Sequence, residues 1–172
     1  MDLDLTIKII ELITVLALDV YLLRFLLRGA IYLPSDPKAI ERMVKALDLK
    51  PGERAVDLGS GDGCILIALA KTGVIATGYE VNPLLVWWSR RRAGAAGVAD
   101  RVTVYRKSFW KADLSGFQGV ALFGMTHIMK ELEGKLLREL PAGARVASNG
   151  FKFPTWNGEQ AAPGIHLYLK EA

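Results

Sequence analysis

The sequence predicts an α/β fold, a doubly wound and mostly parallel sheet preceded by an apolar helix. Three observations carry this expectation. From Gly29 onward, short apolar runs of strand character alternate with stretches of helical spacing, the pattern of a parallel sheet covered on both faces by helices. A glycine-rich stretch, Gly59-Ser60-Gly61-Asp62-Gly63, stands where the first strand turns into the next helix. Ahead of all this, 15 of the 19 residues from Ile9 to Leu27 are apolar. The expected organisation is a membrane-associating helix over 1–30 and an α/β domain over 31–172.

The first segment is close to the length of a bilayer span. It opens on acidic Asp2 and Asp4 and closes on Arg24 and Arg28, unlike a secretory signal, which starts basic and ends in a small-residue cleavage site. With about 100° per residue, Asp4, Lys8, Glu11 and Asp19 share an arc of about 80°, so most of the circumference is apolar. A central Asp19 costs roughly 3 kcal/mol on insertion against a return of roughly 4 to 6 from the aliphatic residues. Residues 7–28 are therefore expected to embed in or lie on a membrane, the alternative being a helix packed on the domain. A spanning helix with Arg24 and Arg28 at its end places the domain on the cytoplasmic side.

Asp36-Pro37 predicts a capped helix start, with Ile40, Met43, Val44 and Leu47 at helical spacing. Ala55 to Leu58 follows as a buried strand, Cys64 to Lys71 as a helix, and Val74 to Glu80 as a second strand. Asn82-Pro83 opens a helix reaching Ala95. Val102 to Tyr105 and Val120 to Phe123 read as strands, Thr126 to Leu140 as a helix, and Val146 to Ser148 and Ile165 to Leu169 as the last strands. Ligands of such sheets bind beyond the carboxyl ends of the strands, which directs attention to the residues after Leu58, Tyr79, Tyr105 and Phe123.

Composition narrows the chemistry. A chain of 172 residues, 51% hydrophobic and 23% charged, is neither disordered nor low-complexity. One cysteine and two histidines leave no disulfide and little material for a metal centre, so no metal is expected. Residues 35–172 hold 19 Lys and Arg against 14 Asp and Glu. That basic balance permits attraction to acidic lipid, nucleic acid or an acidic protein without choosing among them.

The glycine loop is the sharpest signal. Glycines allow a backbone to pass close beneath a ligand. The third glycine of a dinucleotide fingerprint is replaced by Cys64, and no Lys-Ser or Lys-Thr follows as in a phosphate loop. Asp57 and Asp62 are poor company for pyrophosphate and suit a ligand with a cationic part. Glu80 ends the second strand 23 residues after Asp57, where a carboxylate accepts from both hydroxyls of a ribose. Adenosine without phosphates, joined to an α-amino group and a sulfonium, is S-adenosylmethionine. The constellation resembles the seven-strand class of methyltransferases with a Rossmann-like sheet.

Further stretches resemble a narrower family: the protein-lysine methyltransferases of the adenine nucleotide translocase and of the ATP synthase rotor-ring protein, with their prokaryotic relatives. They are Tyr32-Leu33-Pro34-Ser35, the loop from Asp57 to Gly63, Gly78-Tyr79-Glu80-Val81-Asn82-Pro83 with Trp87-Trp88-Ser89-Arg90, Phe123-Gly124, and Phe151-Lys152-Phe153-Pro154-Thr155-Trp156. The resemblance implies S-adenosylmethionine as cofactor, held by Asp57, Gly59, Gly61, Asp62, Glu80 and Asn82, with Ser108 and Phe109 at the adenine. It also implies that Tyr32 and Trp156 wall the methyl-transfer site as its catalytic residues. The implied partner is a protein presenting a lysine, most naturally a membrane protein, and in a eukaryote the implied location is the mitochondrial inner membrane. No Asn-Pro-Pro-Tyr follows the fourth strand, so nucleic acid is not expected as acceptor. A small-molecule or lipid methyltransferase and a non-catalytic cofactor-binding module stay open as alternatives.

Several residues carry plainer expectations. Trp87 and Trp88 are expected to pack a helix face, Arg90-Arg91-Arg92 to form a solvated helix end, and Cys64 to be a small core residue. His127 could serve as a base near the transferred methyl group, though the resemblance assigns it none. Asn157 to Gly164 looks too short for a full sixth strand.

Overall fold

A computed structural model describes residues 3–28, 36–123 and 126–171, with side chains in the first stretch described over 4–20. The chain divides into two units, Met1–Tyr32 and Leu33–Ala172. The first contains a 26-residue helix, α1 (Leu3–Arg28). Its aliphatic residues from Leu5 to Val20 are between 44 and 60% exposed, and Lys8 pairs with Asp4 at 2.7 Å. Among the described residues no helix is long and apolar enough to cross a membrane. In α1 the obstacle is charge rather than length, since Lys8, Glu11 and Asp19 interrupt it. A transmembrane helix is therefore not supported.

The second unit begins with α2 (Pro37–Leu47), whose cap Asp36 accepts the Lys38 N–H at 3.3 Å and whose Pro37 needs no donor partner in the first turn. It continues through β1 (Arg54–Leu58), α3 (Cys64–Lys71), β2 (Ile75–Glu80), α4 (Pro83–Ala95), β3 (Val102–Arg106), a 3-10 turn at Phe109–Lys111, β4 (Gly119–Leu122), α5 (Thr126–Glu139), β5 (Arg145–Asn149), β6 (Glu159–Ala162) and β7 (Ile165–Leu169). The seven strands form one sheet in the order β3-β2-β1-β4-β5-β7-β6. The pairs from β3 through β5 are parallel, while β7 runs antiparallel to β5 and to β6.

The sheet is mixed but mostly parallel, as expected, with four of its six strand pairs parallel; β6 and β7 are joined across Pro163-Gly164, with Gly164 at φ 77°, and so short a link joins only antiparallel strands. Two expectations need correction. The sixth strand does form, as a four-residue edge strand with a register shift between Gln160 and Ala162. Coverage is also incomplete. Between β3 and β4 stands only the 3-10 turn, leaving a cleft of about 400 Å³ over the β2–β3 face, lined by residues including Arg54, Tyr79, Tyr105, Lys107 and Asp113.

Strand alternation sorts the core into two layers. Val56, Leu58, Val120, Leu122 and Val146 face α5 together with Phe153 and Tyr168. Ala55, Ala76, Ala121 and Ala147 face α2 and α3, where Met43, Leu47, Leu66 and Leu69 fill the space. The small alanines let those helices approach closely. By the same alternation Asp57, paired in register with Gly78, and Glu80 lie on the α3 side of the sheet, at its carboxyl end.

Candidate functional site

The site starts where β1 ends. The Gly59 and Ser60 N–H groups both donate to the Tyr79 carbonyl, at 3.0 and 3.1 Å, folding the loop over the end of β2. Gly59, Gly61 and Gly63 all take positive φ, at 93°, 52° and 78°, which is the left-handed region that L side chains avoid. The reasons for glycine differ along the loop. A Cβ on Gly59 would meet nothing within 4 Å, whereas one on Gly63 would collide with the Ser89 hydroxyl of α4. The first glycine is needed for its backbone angle and an open approach, the last also for contact with α4.

Three carboxylates converge on this loop. Glu80 accepts the Gly61 N–H at 3.0 Å on one oxygen and the Asn82 N–H at 2.7 Å on the other. Asn82 in turn caps α4 by accepting the Leu84 N–H at 3.0 Å. Asp62 accepts the Cys64 N–H at 3.2 Å and is paired with Arg92. Asp57 is only 2% exposed. Burial pushes its carboxyl up to about 8, with the Glu80 and Asp62 charges adding to the effect. Burial, reinforced by Asp62, pushes the Cys64 thiol up to about 12, so Cys64 is an inert residue rather than an activated nucleophile.

The next turn is brought alongside when Lys107 donates its N–H to the Glu80 carbonyl at 3.1 Å. Ser108 then precedes the 3-10 turn without a side-chain capping bond, and Phe109 packs against Trp110 with ring centroids 4.9 Å apart. The structure thus gathers Asp57, Gly59, Gly61, Asp62, Glu80, Asn82, Ser108 and Phe109 at one end of the sheet.

Trp156 is not among them. Its indole N–H donates to the Leu169 carbonyl at 3.3 Å, and Leu169 lies opposite Arg145, the first residue of β5. That is the amino end of the parallel strands, roughly 10 Å along the sheet and about 14 Å across it from the end of β1. The ring packs on Phe153 and Tyr168 at 5.5 and 5.4 Å, and Glu133 clamps the segment by accepting from the Thr155 N–H and hydroxyl at 3.0 and 2.7 Å. Tyr32 lies outside the described residues. His127 is exposed in the first turn of α5.

Sequence reasoning missed two contributors. Arg92 reaches back to Asp62 and Arg90 donates to the Val104 carbonyl, so two of the three arginines tie α4 to its surroundings while keeping part of their surface in water. Phe123 and Phe151, at the ends of β4 and β5, meet edge to face at 5.8 Å. Their signal in sequence is their position just beyond two strand ends and their place in the matching stretches, which carried no role for them.

What the site can hold follows from its donor set. Among the described residues no cation pairs with buried Asp57, each Glu80 oxygen takes one N–H and keeps a lone pair, and the Ser60 hydroxyl is buried without a partner. Such a pocket suits a cationic group and vicinal hydroxyls and repels phosphates.

Comparisons with known proteins agree with that chemistry. A family model described as the ANTKMT methyltransferase domain matches residues 57–160. The human lysine N-methyltransferase of the ATP synthase c-ring protein is 46% identical over 125 residues, covering 73% of this chain and 53% of the human protein. A protein-lysine N-methyltransferase of Saccharolobus islandicus is 30% identical over 131 residues, covering 75% of this chain and 81% of that protein. Among solved structures, an RNA methyltransferase from Salinibacter ruber in complex with S-adenosyl-L-homocysteine superposes with TM-score 0.77 at 30% identity, covering 81% of this chain and 94% of that one. The chain spans about half the length of the mammalian relatives it matches. With its family match running through the loop, Glu80 and the strands that carry them, this chain belongs to the ANTKMT methyltransferase domain family.

Proposed function

We propose that the chain is an S-adenosylmethionine-dependent protein-lysine N-methyltransferase working at a membrane surface. The observation that carries the reading is the acidic, phosphate-excluding loop of Asp57, Gly59, Gly61 and Glu80, in a chain 46% identical over 125 residues to a lysine methyltransferase. The cofactor supplies a methyl group made electrophilic by its sulfonium. Asp57 would hold its ammonium group, Glu80 its ribose hydroxyls, and Ser108 and Phe109 its adenine, while Asp62 and Asn82 fix the backbone around them.

Transfer is an in-line displacement, so the protein must align a neutral amine and exclude water. A lysine amine of pKa about 10.4 must first lose its proton. The Phe123–Phe151 pair favours the uncharged amine by desolvation, without a dedicated strong base. Trp156 contributes by fixing the segment that carries Phe151. Support for the membrane setting comes from α1, whose aliphatic residues are exposed and whose charges between Asp4 and Asp19 fall in one narrow stripe, leaving most of its circumference apolar.

A second reading, transfer to RNA, is favoured by one observation: the superposition covering most of both chains is with a protein described as an RNA methyltransferase. Incubating the full chain with labelled S-adenosylmethionine and either membrane protein or RNA separates the two. Label on a lysine of protein, with none on RNA, is the expected result. Label on RNA alone, or on free lipid alone, overturns the proposal.

A further inference from the structure

α4 turns its apolar residues outward. Its buried side consists of Val86, Ser89 and Ala93. Across the helix, Leu84 is 73% exposed, Trp87 59% and Trp88 46%, with Val81 just ahead of the cap at 40%. At helical spacing Leu84, Trp87, Trp88 and Arg91 fall within about 100° of one another, opposite the buried stripe. Arg90 and Arg92 are engaged with Val104 and Asp62, which leaves Arg91 as the cation of this face, its guanidinium 6.0 Å from the Trp87 ring centroid. This ridge starts at Val81, next to Glu80, and so adjoins the cofactor end of the sheet.

We propose that this face of α4 is a peripheral membrane contact that seats on an anionic lipid surface and holds the cofactor end of the domain near the bilayer. The proposal rests on the membrane reading above and adds a second contact, within the domain, independent of α1. The occupant is argued from composition. Two indoles beside aliphatic residues and an arginine match the headgroup boundary, where tryptophan places its apolar ring in the acyl edge and its N–H in the wet layer. Arg91 and the excess of Lys and Arg over Asp and Glu in residues 35–172 supply the charge that anionic lipid attracts, at about 1 kcal/mol per residue near the surface. α4 carries no acidic residue, so a second copy of the chain pairing this face with itself would offer Arg91 no partner.

The test uses the full chain and phosphatidylcholine vesicles with and without phosphatidylserine, some carrying brominated acyl chains. Brominated lipid is expected to quench the tryptophan emission of the parent. Trp87→Phe with Trp88→Phe should remove most of that quenching, leaving only Trp110 and Trp156 to report. Arg91→Gln should weaken binding to phosphatidylserine vesicles about five-fold. Sedimentation with vesicles but without quenching overturns the α4 contact and leaves α1 as the anchor. No sedimentation at all overturns the membrane reading itself. Shielding of the two indoles by self-association without lipid, or by added acceptor protein alone, assigns the face to a protein and overturns the lipid proposal.

Discussion

α3 and α4 follow one another and flank the same loop, yet they use apolar residues in opposite ways. α3 buries Ile65, Leu66, Ile67, Leu69 and Ala70, whereas α4 buries Val86, Ser89 and Ala93 and exposes Leu84, Trp87 and Trp88. The reason lies at the loop. Gly63 sits directly against Ser89, so the inward side of α4 must be small to let the helix close over the glycines, and its large residues are turned outward. Proximity to the glycine loop, rather than hydrophobicity, decides which way α4 faces.

If that is the correct account, substitutions in the two helices should diverge. Leu66→Ala, at a fully buried site under the sheet, is expected to cost about 3 kcal/mol of stability in denaturant titration. Next in size is Asp57→Asn. The folded-state carboxyl titrates at about 8 against an ordinary 3.8, so in the cofactor-free chain the folded form binds the extra proton between those values and stability falls as pH rises through that window. Asp57→Asn should remove this slope and gain about 2 kcal/mol at pH 8, while losing cofactor affinity. Thermal melts from pH 5 to 8 check the first part. Ser89→Ala removes a buried hydroxyl that has no partner and should be neutral or stabilising by less than about 1 kcal/mol. Trp87→Ala, despite deleting the largest side chain of the four, should change stability by no more than about 0.5 kcal/mol. A large loss there would mean that the outward face of α4 is structural.

The same contrast explains what the sequence disclosed. Helix starts such as Asp36-Pro37 and Asn82-Pro83 are local chemistry, and the caps form as expected. The loop is legible for the same reason, since glycines and carboxylates at fixed spacing reveal both a backbone path and a charge. What escaped depends on distant partners. The outward turn of Trp87 and Trp88 follows from Ser89 meeting Gly63, and the engagement of Arg92 from its reach to Asp62. β6 exists because β7 offers it an edge, and nothing in Glu159–Ala162 announces a strand. The open β2–β3 face reflects a connection too short to lay down a helix. Its place in a matching stretch groups Trp156 with the site, but Glu133 and Tyr168 draw that segment to the other end of the sheet.

We propose that the loop and Glu80 hold the cofactor. Calorimetric titration of the full chain and of Glu80→Ala with S-adenosyl-L-homocysteine tests it most directly. Loss of a charged acceptor for two hydroxyls is worth roughly 1.5 to 3 kcal/mol, so the account predicts binding by the parent and affinity weakened about ten-fold or more in the variant, with no specific binding of NAD to either. Equal affinity in the two proteins would contradict it.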